Sequence, residues 1–152
     1  MNKIKLTLAE IYQLNYELLG ITNQSTGEKI TKGILDERLS ISVKYHLSKI
    51  SDKLLKEIEH IEKLKEEHIT KVGTKDEDGK IFVSMRINEV KDEEGKLISS
   101  DINPAYIQLQ ETFNKFMEEE FEIEYKEMFV EDINIETDIN PVILFKLITT
   151  KD

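Results

Sequence analysis

The sequence predicts an α+β fold: a helical hairpin with one long amphipathic helix, packed on a small antiparallel sheet together with one or two further helices. Three observations carry this. From Ser40 to Val72 apolar residues recur three or four apart, at Val43, Leu47, Ile50, Leu54, Ile58, Ile61 and Leu64, with His68 filling the gap before Val72. After Gly73 the period changes to two, in Ile81, Val83, Met85 and Ile87 and again in Phe121, Ile123 and Tyr125. Two Asn-Pro pairs, Asn103-Pro104 and Asn140-Pro141, carry the cap-then-proline signature of a helix start.

In chain order, Thr7 is the N-cap of a first helix from Leu8 to Leu19, with Glu10 placed to close a capping box and Gly20 placed to end it. A polar turn, Thr22 to Gly27, leads to Glu28–Lys32, a short strand or an extended arm, which Gly33 breaks. Ile34, Leu35 and Leu39 form a helical turn under the start of the long helix, whose cap is Ser40 or Ser42. At ~1.5 Å per residue that helix runs roughly 45–50 Å, so its stripe needs cover along its length. A purely internal core and a partner surface, with self-association included, both satisfy that need. Thr74 to Lys80 is a turn by composition, Ile81–Asn88 a half-buried strand, and Asp92–Gly95 a second turn before Lys96–Ile98, which makes a hairpin. Asn103 caps a helix that buries Tyr106, Leu109, Phe113, Phe116 and Met117, and a strand follows from Phe121 to about Phe129. Val142–Ile148 is a short buried segment, helix or strand.

A chain of 152 residues is one domain, 1–152, large enough for a moderate core. It divides by character into a helical part, 1–73, and an acidic mixed part, 74–152. Residues 1–72 hold 12 Lys and Arg against 11 Asp and Glu, residues 73–152 hold 9 against 20, so the net charge of −10 belongs to the second half. Such a surface repels a phosphate backbone, so no direct nucleic-acid partner is expected without a locally basic face. The acidity serves solubility, or a basic protein partner. The absence of cysteine removes disulfides, thiolate nucleophiles and cysteine-ligated metals. The opening Met1–Leu6 has two lysines but no apolar run after them, so neither a signal peptide nor a membrane span is expected, and the chain reads as soluble and made in the cytoplasm.

No motif carries chemistry, and no catalytic residue, metal ligand or cofactor is assigned. Asp76–Gly79 and Asp92–Gly95 fail as calcium loops: with each glycine at the sixth position, the first ligand falls on Thr74 or Val90 and the twelfth on Met85 or Asp101. His60 and His68 lie eight apart, too far to share one ion, and His46 stands alone. No Gly-x-Ser-x-Gly or phosphate-cradling glycine pattern occurs. Glu124-Tyr125-Lys126 resembles half of a metal-dependent nuclease site, for which Asp101 would be the missing carboxylate; alternating charge on the wet face of a strand explains the triplet equally well. The helical spacing of Tyr106, Phe113 and Phe116 makes them core residues rather than a base-stacking platform.

Lys5–Asn15, Lys44–Lys49, Glu122–Lys126 and Pro141–Ile148 together resemble a family of small tailed-phage and prophage proteins of unassigned function. The resemblance implies a phage protein, acting in the host cytoplasm or as part of the virion. It carries no catalytic residue with it. The expected role is non-enzymatic: protein–protein contacts as a small virion component or assembly accessory. The alternative is an anti-defence protein that offers acidic surface to a host nuclease or nucleic-acid-binding complex. The expected contact residues are Leu47, Ile50, Leu54, Ile58 and Ile61 on the long helix, with Glu118, Glu119 and Glu120 as an electrostatic rim; the partner is a phage structural protein, a second copy or a host factor.

Overall fold

The structure, a computed structural model, describes residues 1–129, 133 and 139–149. It is α+β, with three α-helices and five two-stranded pairings among the described residues. Its residues gather into two compact units, residues 1–59 with 118–152 and residues 60–117. The charge boundary near residue 72 therefore falls inside the second unit.

The first unit begins with a strand, β1 (Asn2–Thr7), which pairs antiparallel with β8 (Glu120–Tyr125), from Asn2↔Tyr125 to Thr7↔Glu120. Alternation explains it. Ile4 and Leu6 sit opposite Ile123 and Phe121 on one face, and Leu6 and Ile123 are buried. On the other face Lys3 reaches Glu124 at 3.1 Å and Glu122 at 3.6 Å. Helix α1 (Leu8–Leu19) follows without a linker, and Thr7 and Glu10 exchange two backbone-to-side-chain bonds of 3.1 Å in the expected capping box. Leu8, Ile11, Leu14 and Leu18 bury its apolar face. Gly20 ends it at φ 68°, and a Cβ there would lie 2.0 Å from the Thr31 carbonyl oxygen.

That close approach comes from the hairpin of β2 (Gly20–Thr22) and β3 (Lys29–Lys32), so the arm after Gly27 is a strand. A 3₁₀ turn at Ile34–Asp36 buries Ile34, and Asp36 accepts from the Gly33 N–H at 2.8 Å. Ser40, not Ser42, caps the long helix α2 (Ile41–Val72): its Oγ accepts from the Val43 N–H at 3.2 Å. Strand β8 stops at Tyr125, and β9 (Met128–Phe129) pairs parallel with β10 (Ile148–Thr149), so the strand expected to run to Phe129 is two strands. Val142–Ile148 is neither one helix nor one strand: a 3₁₀ turn at Leu144–Lys146 leads directly into β10.

In the second unit, β4 (Thr74–Lys75) and β5 (Ile81–Phe82) form a hairpin about a turn in which Asp76 Oδ1 accepts from the Lys80 N–H at 2.8 Å. The single strand expected over Ile81–Asn88 is divided, with β6 starting at Arg86 (Arg86–Lys91) and pairing with β7 (Leu97–Ile102). The break has a local cause. Asn103 ties the intervening carbonyls, Ser84 O at 2.8 Å through its side chain and Met85 O at 2.9 Å through its N–H, while its Oδ1 accepts from the Ala105 N–H to start α3 (Pro104–Phe116). Met85, expected inside, is 56 % exposed. On α3 only Leu109 is fully buried; Tyr106, Phe113, Phe116 and Met117 are half-buried.

Candidate interaction surface

The long-helix stripe is interior. Leu47, Ile50, Leu54 and Ile61 retain between 0 and 3 % of their surface, and Ile58 is half-buried. A side chain without accessible surface cannot meet a partner while the chain is folded, so the contact face expected on these residues is core instead. The stripe loosens only toward the end of α2, where Leu64 and Val72 are 40 and 47 % exposed. Glu118, Glu119 and Glu120 are exposed, and the Glu119 carbonyl accepts from the Leu8 N–H at 2.9 Å.

The nuclease-like triplet is not assembled into a site. The Glu124 carboxylate is engaged by Lys3, and the Asp101 carboxylate accepts from Asn88 Nδ2 at 3.1 Å. Among the described residues no three His, Asp or Glu side chains come together as a metal-binding set. His46 meets the Tyr45 ring edge-on at 5.2 Å and His68 lies tilted on Phe113 at 5.8 Å, while His60 is exposed. Among the described residues no helix is long and apolar enough to cross a membrane.

One buried acid escaped the sequence reading. Glu17 is fully buried on α1, and its carboxylate accepts from the Ile143 N–H at 2.9 and 3.1 Å and from the Leu144 N–H at 2.9 Å. These are the amides that a 3₁₀ turn leaves unpaired at its start. The carboxylate thus acts as a cap supplied from another part of the chain. Its sequence signal was present: a glutamate between Leu14 and Leu18, on the apolar face of an amphipathic helix. Two turns earlier on the same helix, Glu10 takes the Lys146 ammonium at 2.5 Å. That hydrogen bond holds the Glu10 carboxyl below the usual carboxylate range, against a smaller opposing effect of burial. Lys3, hydrogen-bonded to Glu124 and in the field of Glu122, is raised above the usual lysine value.

Part of the exposed apolar surface lies on the β6–β7 ribbon. Val90, Leu97, Ile98 and Ile102 are each at least half exposed. The register places Val90 opposite Ser99 on one face and Ile102 opposite Arg86 on the other, so apolar side chains stand on both faces. Asn88, at φ 54°, interrupts the ladder, and its amide bonds to Asp101 across the strands. At the tip Asp92 Oδ1 accepts from the Glu94 and Lys96 N–H groups, with Gly95 at φ 84°. At the base Met85, Ile102, Tyr106 and Ile107 line a cleft of about 290 Å³ against α3. Residues 86–102 carry five acidic side chains against three basic ones. The ribbon therefore combines exposed apolar side chains with an acidic tip.

An α+β chain of two compact units, one of which opens an apolar ribbon to solvent, is the class that this geometry defines. Comparison of the chain with protein-family models, with curated proteins and with solved structures gives no match.

Proposed function

We propose that the chain acts without catalysis, through protein–protein contacts, and that the β6–β7 ribbon is the contact element. The observation that carries this reading is the exposure of Val90, Leu97, Ile98 and Ile102 on a two-stranded ribbon with open edges. Two strands alone are marginal in water, and apolar side chains on both faces gain most when a further strand or an apolar segment covers them. The acidic tip, Asp92, Glu93 and Glu94, selects an occupant whose apolar segment is flanked by lysine or arginine. The resemblance described above supplies the setting: a phage protein in the host cytoplasm, as a small virion component or an assembly accessory. The test is a photo-crosslinking residue at position 98, in cells replicating the encoding phage and in purified particles. A crosslink to one phage protein, lost in Leu97→Lys, supports the reading. No crosslink in either sample overturns it, and a crosslink only to a second copy overturns the phage-protein partner while keeping the ribbon as the contact element.

The exposed Glu118, Glu119 and Glu120 favour a second reading, an anti-defence protein that presents acidic surface to a host nuclease or nucleic-acid-binding complex. Salt separates the two. A charge-led complex weakens steeply as ionic strength rises, whereas ribbon burial persists.

A further inference from the structure

We propose that a basic, tyrosine-lined cleft in the first unit binds a nucleoside monophosphate. The cleft, of about 270 Å³, lies between the first part of α2 and the end of β8. Tyr45, His46, Lys49 and Lys53 face it from the helix, at a spacing that puts them on one side, and Tyr125 and Lys126 face it from the strand end. The Lys49 ammonium lies 4.8 Å from the centroid of the Tyr45 ring, which keeps a cation beside an aromatic face. Lys53 is held toward the strand by a 3.1 Å bond from its Nζ to the Glu124 carbonyl.

The charge balance of this cleft is opposite to that of the chain. Its one lining carboxylate, Glu124, is already engaged by Lys3 at 3.1 Å, and among the described residues Lys49, Lys53 and Lys126 are in no ion pair. Three ammonium groups around one cleft repel each other, and a bound anion removes that repulsion. The neighbouring tyrosines select for more than charge: a flat, partly apolar ring stacks on them while the phosphate takes the lysines. Size and surroundings limit the ligand to a monomer. The volume is close to the lower bound of small-molecule sites, about 300 Å³. A longer nucleic acid leaving the cleft at the strand end faces the exposed carboxylates of Glu122 and Glu127, which flank Glu124–Lys126 in the chain.

The experiment is an NMR titration of the ¹⁵N-labelled full chain with adenosine monophosphate, beside separate titrations with adenosine, inorganic phosphate and oligodeoxythymidine. Saturable shifts confined to residues 45–53 and 124–126, with adenosine and phosphate each binding about tenfold more weakly, are expected. Tyr45→Ala and Lys126→Ala, both at exposed positions, each weaken the nucleotide about tenfold, and their spectra report whether the fold is intact. No saturation below about 10 mM overturns the site. Equal affinity for phosphate overturns the ligand class, and tighter binding of the oligonucleotide overturns the monomer. Binding unchanged in both variants overturns the location.

Discussion

Glu17 shows how one side chain can organise a distant segment. Removing its carboxylate leaves the Ile143 and Leu144 N–H groups buried without their acceptor. Glu17→Ala is expected to cost about 2–4 kcal/mol, and Glu17→Gln less, since an amide oxygen still accepts one bond. Denaturant unfolding measures the cost, and faster hydrogen exchange at the Ile143 and Leu144 amides localises it. Glu10 gives a pH signature. Its carboxyl is depressed by Lys146, so the pair's contribution is fully present above the ordinary carboxyl pKa and is lost as pH falls through the folded value. Both side chains are partly exposed, which keeps the contribution below about 1 kcal/mol. Lys146→Met is therefore expected to destabilise slightly near neutral pH and to match the parent in strong acid, in paired unfolding curves.

Among the elements, α1 was fully legible: Thr7, Glu10 and Gly20 stand where local capping chemistry needs them, and the structure uses all three. Strand β1 was missed although its pattern was there, since Lys3 and Lys5 alternate with Ile4 and Leu6 as Glu122 and Glu124 do with Phe121 and Ile123. A strand is defined by its partner, and that partner lies more than a hundred residues away. The same dependence divided Ile81–Asn88. Its alternation continues, but β4 pairs with one end and β7 with the other, and Asn103 binds the carbonyls between them. The α1–β2 junction tests whether close approach or conformation sets the cost of a side chain. Gly20→Ala has both a positive φ and a backbone clash, so a loss of more than about 1 kcal/mol is expected in thermal unfolding.

For the molecule as a whole, the decisive quantity is where apolar area ends up. The long-helix stripe is buried at Leu47 and Leu54, while the ribbon leaves Ile98 65 % exposed. Leu54→Ala is expected to cost about 3 kcal/mol, and Ile98→Lys less than about 0.5 kcal/mol, in parallel denaturant titrations. An Ile98→Lys loss as large as that of Leu54→Ala would place the ribbon in the core and remove it as a contact surface. Charge also redistributes on folding. The sequence shows an acidic second half, yet folding gathers Lys49, Lys53 and Lys126 around one cleft, because β8 returns beside the first part of α2.

By itself the sequence determined the α+β class, the three helices with the caps of the first and third, and the absence of cysteine chemistry, because periodicity, capping and composition act within a few residues. Tertiary structure alone decided which apolar faces were covered, which strands paired, and that Glu17 would cap a turn from the far end of the chain. Those outcomes depend on which distant segments meet, and an amphipathic stripe reads the same whether the chain itself or a partner covers it.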